Sequence, residues 1–136
     1  MSIKPFENID CSQLEAILRD GYEIDMFRLG AHIFLSIHHN KNLLARAVGE
    51  SISIVLQRAE SYVNHNFRMP ELYNGHASKL DSLILDSGAH ITLEAIGLQF
   101  RGKIFSHDVY LLVMGKGGSI STTLQSLEES AITYGL

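Results

Sequence analysis

Tryptophan is absent, cysteine occurs once and proline twice among 136 residues. The lone Cys11 excludes an internal disulfide, so any core must hold without covalent staples. Pro5 and Pro70 are the only residues that forbid regular structure outright. The longest strongly apolar run, residues 109–114, is far short of the roughly 20 residues that cross a bilayer. The opening MSIKPFENIDC carries Glu7 and Asp10 where a signal peptide would be apolar, so a cytoplasmic location is expected. Basic residues are few and scattered. Eleven Lys and Arg stand against fifteen Asp and Glu, for a net charge of −4, which disfavours a nucleic-acid backbone as partner. Arg101 and Lys103 between Phe100 and Phe105 are a lone basic, aromatic strand, too small a cluster to reverse that.

The apolar content, 46%, suits a folded core rather than disorder. A chain of this length buries about two-thirds of its unfolded surface, enough for a single domain over residues 1–136. Charge is concentrated by position. The first 25 residues hold Glu7, Asp10, Glu15, Asp20, Glu23 and Asp25 against Lys4 and Arg19, which accounts for the whole net charge. Such an acidic end suits a basic partner.

Apolar or small residues at 44, 48, 51, 55, 59 and 62 recur at helical steps of three and four. They predict one long central helix over residues 41–63, capped by Asn40 or Asn42. Its apolar arc is wide enough for two packing partners, with Arg58 toward the apolar side. Upstream, Ser12-Gln13-Leu14-Glu15 has the capping-box pattern and opens a short helix ended by Gly21. Residues 22–29 and 31–38 read as strands joined at Gly30, with Ile33, Leu35 and Ile37 on one side. Residues 64–76, with Pro70 and Asn74-Gly75, read as a loop. Residues 78–86 fit a helix better than a hairpin strand. Strands are expected over 90–96, 99–105 and 108–114, the last apolar on both faces and so central. A final helix presents Ile120, Leu124, Leu127 and Ala131. Gly-Ala-His-Ile at 30–33 recurs at 88–91, each copy opening a strand, a possible trace of duplication.

The fold expected is α+β: one mostly antiparallel sheet of about five strands, packed with the long helix and shorter terminal helices. The order of elements resembles roadblock and longin-type scaffolds in topology, without matching motif residues. That resemblance implies a dimerising scaffold that binds other proteins.

No residue pattern demands catalysis. The expectation is a non-catalytic protein-binding module: a small acidic inhibitor or immunity-type protein masking a basic partner, or a homodimeric scaffold. No cofactor is expected. The candidate partner-binding residues are Glu15, Asp20, Glu23, Asp25 and Arg58. The alternative is a sensor or enzyme that binds a small molecule or metal. Gly115, Lys116, Gly117, Gly118 and Ser119 would offer backbone N–H groups to a phosphate ahead of a helix, although the Walker A spacing is missing. His32 and His90, equivalent in the two Gly-Ala-His-Ile copies, would face each other across adjacent strands as metal ligands. Cys11, just before a helix, would be an activated thiol if its pKa were lowered there.

Overall fold

The computed structural model describes residue 6 and residues 9–63 and 78–136. The elements run α1 (Ser12–Arg19), β1 (Glu23–Leu29), β2 (His32–His39), β3 (Asn42–Gly49) and α2 (Ile52–Val63), then α3 (Lys79–Ser87), β4 (His90–Ile96), β5 (Gln99–Phe105), β6 (Leu111–Gly117) and α4 (Ile120–Thr133). The fold is α+β, as expected. The six strands form one antiparallel sheet in the order β3-β2-β1-β4-β5-β6. The expected loop at 64–76 lies outside the described residues.

Every strand alternates, and the residues on one face of the sheet are buried throughout: Ile24 and Met26, Ile33, Leu35 and Ile37, Ala45, Ile91 and Leu93, Phe100 and Ile104, Val113. These side chains meet Leu14 and Leu18 of α1, Ile52, Val55, Leu56 and Ala59 of α2, Leu80 and Ile84 of α3, and Ile120, Leu124, Leu127 and Ala131 of α4 in one apolar core. The helices therefore share one side of the sheet.

The long central helix is replaced by β3 and the shorter α2. Residues 42–49 are Asn-Leu-Leu-Ala-Arg-Ala-Val-Gly, good helix formers for the most part, yet Ala45, Ala47 and Gly49 all face inward opposite Ile37, Leu35 and Ile33. Small inward residues blurred the two-residue period, and sheet pairing overrode propensity. Asn40 and Lys41 are not a helix cap. Both have positive φ, 47° and 70°, and they form the two-residue turn of the β2–β3 hairpin. Nor is the strand after residue 108 central: β6 is a sheet edge, and its outward apolar residues are exposed.

Two halves of the chain are built alike, each a helix, three strands and a helix. Residues 43–60 and 111–128 share nine identities in eighteen positions without a gap, among them Leu43/Leu111, Leu44/Leu112, Gly49/Gly117, Ser51/Ser119, Ile52/Ile120, Ser53/Ser121, Leu56/Leu124, Gln57/Gln125 and Glu60/Glu128. Gly30 and Gly97 open equivalent two-residue turns with φ of 64° and 60°. The register shifts between Ile37 and His38 in one half and between Ile104 and Phe105 in the other. The central pairing of Asp25 with Thr92, flanked by Ile24 with Leu93 and Met26 with Ile91, places a pseudo-two-fold axis at the sheet's middle. The chain is thus an internal duplication, but not in the register of Gly-Ala-His-Ile: those copies open β2 and β4, the second strand of one half and the first of the other. With three strands in each half, the order also departs from the roadblock and longin pattern.

Candidate functional site

Burying four helix N-termini in one layer would strand their leading N–H groups. Each is met by a carboxylate from another helix. Glu60 of α2 accepts from Gln13 and Leu14 of α1, both at 2.9 Å. Glu128 of α4 accepts from Lys79 and Leu80 of α3, at 2.6 and 3.1 Å. Asp81 of α3 accepts from Ile52 of α2, and Glu15 of α1 from Ile120 of α4, each at 2.7 Å. The four contacts close a ring: α2 caps α1, α3 caps α2, α4 caps α3 and α1 caps α4. Each carboxylate also meets the positive end of a helix dipole. Burial pushes the Glu60 and Glu128 carboxyls above the ordinary range, opposed by the N–H groups they accept.

This ring changes the reading of several candidates. Ser12 does not head a capping box. Cys11 is the N-cap residue and supplies no side-chain hydrogen bond, and the Glu15 carboxylate is turned to α4. Cys11 itself is buried, and burial together with Glu60, Glu15 and Asp10 pushes its thiol well up, the reverse of an activated nucleophile. Most of the glycine-rich stretch is strand rather than loop. Gly115, Lys116 and Gly117 belong to β6, and Ser119 is the N-cap of α4 in a capping box with Thr122. A Cβ on Gly117 would lie 2.6 Å from the Thr123 backbone nitrogen, and one on Gly115 2.9 Å from that of Leu127. These glycines let α4 lie close on the strand, and the N–H that would greet a phosphate already serves Glu15.

The other side of the sheet is bare among the described residues. Register lines up Val48, Phe34 and Phe27 across it, and His90 with Phe105, the two groups meeting where His90 stacks on Phe27. The Phe27 and Phe34 rings are 5.1 Å apart, and His90 stacks on Phe27 at 5.7 Å. The neighbouring row carries Arg46, Ser36, Asp25, Thr92, Lys103 and Met114. Asp25 meets His38 at 2.7 Å. Glu94 accepts from Arg101 at 2.8 Å and lies 3.5 Å from Lys103. His38 and Glu23 also line a cleft with Gly21, His39, Asn40 and Lys41.

The four N-terminal carboxylates are not brought onto one surface. Glu15 is spent inside the helix layer, Asp25 lies on the bare side with His38, and Asp20 and Glu23 are exposed near the sheet's end. Arg58 is exposed and donates to the Val48 carbonyl. His32 and His90 point to the same bare side, but β1 runs between their strands, so they are not across adjacent strands. Among the described residues no group of three or more His, Cys, Asp or Glu is placed to hold a metal ion. None of the described helices is long and apolar enough to cross a membrane. Compared with known protein families, curated proteins and solved structures, the chain finds no match.

What sequence reasoning missed was Glu60, Asp81 and Glu128. For Glu60 and Glu128 the signal was present as the recurrence of Ser-Ile-Ser followed by Leu-Gln and Glu at 51–60 and 119–128; Asp81 lies outside it.

Proposed function

We propose that this chain is a non-catalytic protein-binding module whose docking surface is the bare side of its sheet. The observation that carries this reading is the contrast between the two sides. Four carboxylates of the helix layer are used in capping, whereas the sheet's other side keeps half-buried aromatics at its centre and exposed Leu44, Val48, Leu112 and Met114 toward its rims. Aromatic and apolar side chains ringed by charge are the make-up of a protein interface, and an apolar patch left uncovered marks a contact site more often than it marks nothing. Asp25 and His38 are the most dyad-like pair on this side, and among the described residues no nucleophile is hydrogen-bonded to either. The inhibitor form of the reading, in which acids dock a basic partner, would now rest on Asp20 and Glu23.

A photo-reactive benzoylphenylalanine placed in turn at Phe34, Leu112, Asp86 and Glu129 tests this in the host cell. The expected result is a polypeptide adduct from the first two positions, on the bare side, and none from the helix positions Asp86 and Glu129. Adducts from the helix positions alone, or from none of the four, would contradict it.

A further inference from the structure

The duplication offers a filter on which surface residues matter. Identities retained in the core need only packing to explain them. Leu43 and Leu44, however, are 54% and 44% exposed, and their equivalents Leu111 and Leu112 are 49% and 41% exposed. Both halves keep an exposed Leu-Leu pair at the start of the strand that forms the sheet's edge. Packing does not account for it.

The rest of each edge is matched in kind. Toward the bare side, β3 shows Leu44, Arg46 and Val48, and β6 shows Leu112, Met114 and Lys116. Each edge therefore offers two apolar side chains and one cation. Arg46 and Lys116 are exposed and form no ion pair among the described residues. In a chain of net charge −4, the described residues of the bare side set Arg46, Arg101, Lys103 and Lys116 against Glu23, Asp25 and Glu94. Neither edge strand contains proline, and among the described residues no strand pairs with the outer rim of β3 or of β6, although Arg58 already occupies the Val48 carbonyl of β3.

We propose that β3 and β6 are two pseudo-equivalent docking edges, each able to add an extended segment of a partner protein that carries apolar and acidic side chains on alternate positions. Strand addition supplies backbone hydrogen bonds for affinity and side-chain neighbours for choice. An added strand sets its bare-side residues against those of the edge, so apolar groups meet the leucines and Val48 or Met114, and a carboxylate meets Arg46 or Lys116. Charge complementarity is what selects this occupant. A second copy paired edge to edge would bring a cation of its own. The two edges lie about 24 Å apart, five strand spacings, so one partner with two such segments would gain by avidity. This inference rests on the protein-binding reading and gives it a chemical class of partner.

The test is selection of phage-displayed random peptides against the full chain, with recovered peptides measured by fluorescence anisotropy. The variants are L44D/R46E, L112D/K116E and the two combined. All four positions are exposed, and an unchanged thermal midpoint checks that folding is kept. The expected peptides alternate apolar and acidic residues and bind with two per chain. Each single-edge variant should lose one site, and the combined variant should lose affinity by tenfold or more. Peptides that bind the combined variant as well as the parent, but lose affinity to F34A, would overturn the edge assignment while leaving the bare-side reading intact. Recovery of basic peptides would overturn the charge argument. A dimer that dissociates only in the variants would assign the edge to a second copy instead. Failure to enrich any peptide would count against both the edges and the protein-binding reading.

Discussion

A carboxylate leaving water loses its solvation, and Glu60 and Glu128 replace it with two backbone N–H groups each. Removing such an acceptor leaves one buried and one part-buried donor unsatisfied, so Glu60→Ala and Glu128→Ala should each cost about 1–3 kcal/mol, read by urea unfolding. The pH dependence has a definite sign. Burial raises both carboxyls above their unfolded values, so the native state holds protons that the unfolded state has released. Their contribution is greatest below the unfolded carboxyl pKa of roughly 4.3 and falls as pH rises through the folded value. The deficit of each alanine variant relative to the parent should therefore be larger near pH 4 than near pH 7. A deficit that grows steadily with pH would contradict the burial argument.

At the scale of elements, α4 sits on β6 because glycine lets it. Gly117→Ala would drive a Cβ to 2.5 Å from the Thr122 hydroxyl and 2.6 Å from the Thr123 nitrogen. The helix must move, at a cost of about 1–3 kcal/mol. Gly118→Ala meets nothing within 4 Å and should be close to neutral. A thermal-melt comparison distinguishes this packing role from a ligand loop, for which Gly118 would matter as much as Gly117. Element type was legible wherever the inward and outward residues differed clearly. Ile33, Leu35 and Ile37 gave β2, and Ile120, Leu124, Leu127 and Ala131 gave α4. It was not legible for residues 42–49, where Ala45, Ala47 and Gly49 are inward and leucines outward, the inverse of the usual contrast. Ser12 and Glu15 followed a local capping rule that a distant helix overrode, since Ile120 is 105 residues from Glu15. The candidate site was less legible still. A sheet face is assembled from all six strands, and strand order is a long-range property that local periodicity does not contain.

For the whole molecule, the halves are interlocked rather than merely adjacent. Two of the four carboxylate caps cross between them, Glu15 to α4 and Asp81 to α2. The four described helices are thereby held on one side, and among the described residues nothing covers the other, which is the proposed docking side. Thiol labelling measures that openness directly, because the chain's own Cys11 is buried with its thiol pushed well up and gives a slow background. In Ser36→Cys and Thr92→Cys, which flank Asp25 in one row at the sheet's centre, the new thiols should react with Ellman's reagent in the native protein far faster than Cys11. If both are protected as well as Cys11 until the protein is unfolded, that side of the sheet is covered, and the account of a free docking face is contradicted.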